Sequence, residues 1–257
     1  MTDNANNNTL LSIVNACKSF GRVKVLKDIN LEIGTNEIVG LVGDNGAGKS
    51  TLTKVITGVY SLTSGDIYYK GQKITIHSVK RSRELGIETI YQERALADQQ
   101  SLWINMFIGK EITDKFGFLN VKKQKQETER MLRERMGYTS SAITIDMEVK
   151  DLSGGEKQGV AISRALFFDA DLIILDEPTA SLSLSEAKKV QDFVVDIKRS
   201  GKSAIFISHN ISHLYPVCER FIIMDRGRIA GVFFKNDVTQ EKLIEKMIQL
   251  ARTGILE

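Results

Sequence analysis

Gly43-Asp44-Asn45-Gly46-Ala47-Gly48-Lys49-Ser50-Thr51 is the stretch that decides the fold of this chain. It follows an apolar run, Ile38-Val39-Gly40-Leu41-Val42, of the kind that forms a buried strand, and precedes a segment that reads as a helix beginning near Lys49. Glycines let the backbone bend around phosphate groups so that successive N–H groups point inward, and the positive end of the helix dipole adds to the attraction. In this pattern Lys49 neutralises β- and γ-phosphate oxygens and Ser50 offers a hydroxyl to Mg²⁺, a cation that prefers oxygen ligands. A plain glycine-rich turn explains neither the Lys49-Ser50 pair nor the strand before it and the helix after it. Residues 43–51 are therefore expected to bind a nucleoside triphosphate.

A second element, Leu172-Ile173-Ile174-Leu175-Asp176-Glu177, is an apolar strand ending in two carboxylates. Open α/β sheets present functional residues at the carboxyl ends of their strands. Asp176 is expected to hold Mg²⁺ through water, and Glu177 to act as general base on the attacking water. Adjacent strand residues point to opposite faces, so the two carboxylates are expected to serve different roles. Partners of a surface salt bridge are the alternative, against which the apolar run before them argues.

Outward from these elements the pattern is α/β. Residues 28–33 alternate apolar and polar as a half-buried strand does; short strands are expected at 66–69, 73–76 and 87–91, with a helix over 79–85. From about 95 to 159 the chain turns helical and charged, above all over 121–136, where Glu129/Arg133 and Arg130/Glu134 stand at i,i+4 spacing. Strands at 172–175, 204–207 and 221–224 then alternate with helices, the rhythm of a mostly parallel sheet. Val190, Phe193, Val194 and Ile197 form one apolar stripe on the helix 185–199. A last helix is expected over 240–252.

The bulk numbers agree. The 257 residues suffice for one α/β unit with subdomains, and 42% hydrophobic with two prolines is the composition of an ordered globule. A net charge of +3 on 35 basic and 32 acidic residues gives no footprint for nucleic acid. Two cysteines form neither a disulfide framework nor a metal spacing, as expected in a reducing compartment. No stretch approaches the roughly 18 apolar residues of a membrane span, so membrane association needs a partner. Residues 1–8, polar and Asn-rich, are expected to form a disordered tail.

Leu152-Ser153-Gly154-Gly155-Glu156-Lys157-Gln158 stands shortly before the Asp176 strand. Placed between the phosphate loop and the paired carboxylates, it resembles the signature motif of ATP-binding cassette (ABC) proteins. That resemblance spans nearly the whole chain. It implies a P-loop NTPase cassette with a RecA-like parallel-sheet core (9–94 and 160–257), an antiparallel β subdomain within the first part, and a helical subdomain (95–159). It further implies that Ser153, Gly154 and Gly155 bind the γ-phosphate of ATP held by a second copy arranged head to tail. Phe20 matches the aromatic residue that stacks on adenine. Gln92 matches the glutamine that contacts Mg²⁺ or water, and His209 the switch histidine that senses the γ-phosphate. One position departs from the family pattern: Pro178-Thr179-Ala180-Ser181-Leu182-Ser183 places Ser183 where an Asp is usual.

Residues 90–98 and 105–111, with Ser208-His209-Asn210-Ile211, resemble bacterial importers of monosaccharides such as ribose, xylose or fructose. The implied partners are transmembrane permease subunits, a second cassette and, indirectly, an external solute-binding protein. The implied location is the cytoplasmic face of the cell membrane, as a peripheral subunit. Leu102, Trp103, Met106 and Phe107 are expected either to line a groove for the permease or to form subdomain core. The rival readings are a soluble ABC ATPase acting on DNA, ribosomes or iron–sulfur assembly, which shares the same motifs, an importer motor for another small solute, and a regulatory nucleotide-binding subunit with little turnover, which Ser183 alone supports.

Overall fold

The computed structural model describes residues 8–90, 96–134, 143–180 and 182–256. Two sheets organise it. The first is antiparallel, in the order β2-β1-β4-β5, built from β1 (Thr9–Phe20), β2 (Val23–Gly34), β4 (Ser64–Tyr69) and β5 (Gln72–Ile74). The second runs β10-β9-β3-β8-β7-β6, from β3 (Ile38–Val42), β6 (Ile87–Ile90), β7 (Leu172–Asp176), β8 (Ser203–Ile207), β9 (Arg220–Asp225) and β10 (Arg228–Phe234). Its strands are parallel except for β10, which pairs antiparallel with β9. The middle strands β3 and β8 are buried at every position, which is why their sequences read as continuous apolar runs rather than alternations.

The helices are α1 (Lys49–Ile56), α2 (Val79–Glu84), α3 (Leu102–Phe107), α4 (Val121–Glu134), α5 (Gly154–Phe167), α6 (Leu184–Arg199), α7 (Ile211–Leu214) and α8 (Gln240–Thr253). One apolar core joins α1 and one face of the parallel sheet to the antiparallel sheet; a second lies on the other face under α5, α6 and α8. A third gathers Leu102, Met106, Phe107, Met131, Leu132 and Val160 around α3, α4 and α5.

Strand β1 escapes the period-2 reading of the sequence. Its register shifts between Ile13 and Ala16, where Asn15 takes a left-handed φ of 50°, so the inward and outward positions exchange midway. Strand β2 begins earlier than its alternating part, and β5 closes at Ile74 rather than at 76. On α4, Glu129 pairs with Arg133 at 2.6 Å, whereas Arg130 bonds Glu127 at 2.7 Å; the side chain of Glu134 lies outside the described residues. Of the expected tail only Asn8 is described, its carbonyl accepting from the Thr35 N–H at 2.8 Å. Asp171 ties the two sheets together, accepting from Lys70 at 2.6 Å and from Lys202 at 3.0 Å.

Leu102, Met106 and Phe107 are fully buried in the third core, with the Phe107 ring edge-on to Phe167 and Phe168. For these three the core reading holds; Trp103 is half-buried outside that core, with the Lys125 ammonium 5.5 Å from its ring centroid. An exposed apolar surface lies further along this segment, in the turn between α3 and α4. There Asp114 accepts from the N–H groups of Phe116 and Phe118, and Thr113 bridges Leu119, so that Phe116 and Phe118 project at 73% and 72% exposure.

Candidate functional site

The phosphate loop leaves β3 at Val42 and is braced from behind by the turn between β9 and β10, whose Gly227 N–H donates to the Ala47 carbonyl at 3.0 Å. The fit is close: a Cβ on Gly43 would stand 2.4 Å from the Met224 carbonyl oxygen. Gly48 caps α1 at φ 104°, a conformation that strains any residue with a Cβ, and contributes no capping side chain. The first N–H groups of α1 are thus directed at the cavity in front of the loop. That cavity, about 500 Å³, is lined by Val25, residues 45–51, Asp176, Glu177 and His209.

Lys49 is buried, and its ammonium donates to the carbonyls of Gly43 at 2.6 Å and Asp44 at 3.0 Å. Burial pushes its pKa below the ordinary lysine value, while Glu177, Asp176 and Asp44 oppose that shift. Asp176, at the end of β7, shows the complementary effect. Burial raises its carboxyl above the usual aspartate value, Glu177 raises it further, and Lys49 and Lys54 pull it down. A polyanion and a hard cation entering together would suit this set: N–H groups and an ammonium for phosphate, the Ser50 hydroxyl and the Asp176 carboxylate for the cation.

Glu177 corrects the expectation that the two carboxylates diverge by strand alternation. It lies past the end of β7 with φ 50°, and its N–H donates to the Ile207 carbonyl at 3.0 Å. This left-handed turn, which costs a non-glycine residue on the order of 1 kcal/mol, brings Glu177 to the same cavity as Asp176. One carboxylate oxygen, Oε1, accepts from the His209 N–H at 3.1 Å and lies 3.0 Å from His209 Nδ1. The other, Oε2, is buried without a partner among the described residues. A buried carboxylate oxygen in that state is costly unless something polar meets it, and a water or substrate hydroxyl in the cavity fits that need. His209 itself is no helix cap; Asn210 caps α7, accepting from the Ser212 N–H at 3.0 Å.

The other expected site residues lie apart from this cavity or outside the described set. Phe20, 41% exposed at the end of β1, packs edge-on to Tyr60 with 5.0 Å between ring centroids and does not line the cavity. Gln92 falls outside the described residues. Ser153 caps α5 in a closed box, its Oγ accepting from the Glu156 N–H at 3.3 Å while Glu156 Oε2 accepts from the Ser153 N–H at 2.7 Å. Gly154 opens the helix and Gly155 follows in it, and none of these three lines the phosphate cavity of its own chain.

Two side chains not anticipated from sequence join these pieces. Glu186, on the first turn of α6, accepts from the Gly155 N–H at 3.2 Å and from the Ser183 N–H at 3.1 Å. Its signal was present in the sequence, since Ser183 and Glu186 stand at capping-box spacing before an apolar stripe. His213 Nδ1 lies 2.9 Å from Thr179 Oγ1, joining α7 to the segment after Glu177. No spacing rule announces that contact, because it joins a helix to a loop 34 residues away.

Comparison with known proteins agrees with the layout. Residues 26–180 match the family model described as ABC transporter. The chain is 41% identical to a xylose/arabinose import ATP-binding protein of Sulfolobus acidocaldarius over 94% of this chain and 95% of that one. It is 35% identical to a ribose import ATP-binding protein of Caldanaerobacter subterraneus subsp. tengcongensis over 93% of this chain but 47% of that protein, so it spans about half of that relative's length. Among solved structures, a nucleotide-free ATP-binding cassette from an ABC transporter superposes with a TM-score of 0.80 at 23% identity, covering 97% of this chain and all of that one.

Proposed function

The chain belongs to the ABC transporter family of ATP-binding cassettes, and from that membership we propose that it is the ATP-hydrolysing subunit energising import of a monosaccharide. The observation that carries the catalytic part is the convergence of the phosphate loop, Asp176, Glu177 and His209 on one cavity. The sugar assignment is supported by the similarity to sugar-import ATP-binding proteins along almost the full chain.

In this reading the N–H groups of residues 45–51 cradle the phosphates, and Lys49 exchanges its bonds to the Gly43 and Asp44 carbonyls for phosphate oxygens. Ser50, Asp176 through water and Gln92 would hold Mg²⁺, which would supply neutralisation of phosphate charge. Glu177 Oε2 takes the proton of the attacking water, and His209 holds the carboxylate through Oε1, so that the free oxygen keeps its aim. Phe20, exposed beside Tyr60, supplies an aromatic surface for adenine.

Ser153, Gly154 and Gly155 complete the site of a second copy, which makes the active unit a head-to-tail dimer. Support comes from the separation of the α5 N-terminus from the cavity of its own chain. Residues 95–159 act as the helical subdomain, supported by the third core, which they share with Val160 and Phe167 of α5, and its permease contact is the projecting Phe116/Phe118 turn. No helix among the described residues is long and apolar enough to cross a membrane, so permease subunits bring the cassette to its cytoplasmic face. Reconstitution with its permease tests the whole: ATP turnover stimulated by a sugar-loaded binding protein is expected, and turnover indifferent to every sugar would overturn the cargo class.

A further inference from the structure

Glu186 stands where two anions will meet. The N–H groups that open an α-helix have no intrahelical partner and attract negative charge. In α5 the Gly155 N–H already has an anion, Oε1 of Glu186, at 3.2 Å. The other carboxylate oxygen, Oε2, accepts from the Ser183 N–H at 3.1 Å and from the Ser183 hydroxyl at 2.8 Å. Helix α6 packs so near α5 that a Cβ on Gly155 would stand 3.1 Å from Glu186 Cβ, which leaves that glycine little freedom to become anything larger. With these donors around it the carboxyl is held at about 2, the Ser183 N–H first, then the Ser183 hydroxyl and the Gly155 N–H, with a smaller part from Ser153. Glu186 is therefore held as a carboxylate.

We propose that Glu186 is a resident anion of the α5 N-terminus that competes with the γ-phosphate of ATP carried by a second copy of this chain, and that phosphate docking must displace it from Gly155. This rests on the reading of Ser153, Gly154 and Gly155 as the clamp on a partner's nucleotide. A terminal phosphate carries more charge than a carboxylate and seeks the same N–H, and two anions do not share one donor without repulsion. Once Oε1 leaves Gly155, the carboxylate remains tethered chiefly through Ser183, the residue that caps α6 five positions after Pro178 and six after Glu177. Occupancy of the partner's site thereby reaches the segment that follows this chain's own Glu177. Ser183 belongs to the same device: an Asp there would set a second carboxylate where the Ser183 hydroxyl now donates to Glu186 at 2.8 Å.

The test uses the full-length chain without its permease and follows ATP-dependent self-association by analytical ultracentrifugation, with Mg²⁺ omitted to prevent turnover. Glu186→Gln keeps the capping box, because Gln serves at that position as Glu does, and removes only the charge. The ATP concentration for half-maximal association is expected to fall roughly two- to fivefold, the range that one charge at a helix N-terminus carries. Binding of a fluorescent ATP analogue to the dilute monomer should stay unchanged. A side chain that merely holds the fold would weaken association when altered, so a gain separates the two roles. Association at the same or a higher ATP concentration than wild type overturns the proposal, and Glu186→Ala, which lacks the amide, must show the same sign. Ser153→Ala separates the premise from the inference: if it associates as readily as wild type, the clamp reading itself fails. If Ser153→Ala is impaired while Glu186→Gln is unchanged, only the competition falls.

Discussion

His209 holds Glu177 twice, through its N–H at 3.1 Å and its ring Nδ1 at 3.0 Å, and both contacts fall on the same carboxylate oxygen. The opposite oxygen, Oε2, is buried and without a partner among the described residues, on a side chain that lines the phosphate loop's cavity. Glu177→Gln is expected to keep ATP affinity and to lose turnover by about 10²- to 10⁴-fold, the span of a general base. His209→Ala should lose less, because the N–H contact survives the substitution. Single-turnover ATPase with separately measured nucleotide binding checks both, and a Glu177→Gln protein with near wild-type turnover would exclude this residue as base.

The exposed turn and the buried cluster of the helical segment should respond in opposite ways. Phe116→Ser with Phe118→Ser removes two projecting rings and no core contact, so thermal stability and basal ATPase should stay put while co-purification with the permease is lost. Phe107→Ala empties a packed site and should cost about 3–5 kcal/mol, seen as a much lower unfolding temperature. Retained permease binding by the double Ser variant would move the docking surface elsewhere.

Acid stability should depend on Asp171. Burial alone would raise its carboxyl, but the hydrogen bonds from Lys70 and Lys202 and their charges outweigh it, so the pKa lies below the ordinary 3.8. A lowered carboxylate pKa means that the unfolded chain binds the proton more readily, so the stabilisation is present above 3.8 and is lost as pH falls through the folded value. Asp171→Asn should lower the melting temperature at pH 7 by roughly 1–3 °C, since the pair is partly solvated. The gap to wild type should close as the pH drops below 3.8. A gap that persists unchanged in acid would assign the loss to packing instead.

Much of this was legible in the sequence because the relevant signals are local. The loop 43–51 carries its own geometry in its glycines, and the apolar runs ending at Val42, Asp176 and Ile207 announced buried parallel strands. What escaped was non-local or irregular. Strand β1 hides behind a bulge at Asn15 that breaks its alternation. By pattern Glu177 is the next residue of a strand, whereas its left-handed turn redirects it to the cavity that Asp176 lines. The contacts Gly155 to Glu186 and Thr179 to His213 join segments 31 and 34 residues apart, and no period or spacing encodes such a meeting. Ser183, met in the sequence as a missing charge, turns out to cap α6 and to bond the carboxylate already supplied by Glu186.

If each ATP is held by Lys49 of one chain and Ser153 of another, mixing two variants defective in one residue each restores one complete site. Lys49→Ala cannot hold nucleotide and Ser153→Ala cannot clamp its partner's, so neither alone should self-associate with ATP. An equimolar mixture should, because a mixed dimer has one site with both residues intact. ATP-dependent heterodimers in sedimentation, with about one nucleotide each, are the predicted result. A mixture that stays as monomeric as its two components would contradict the shared site.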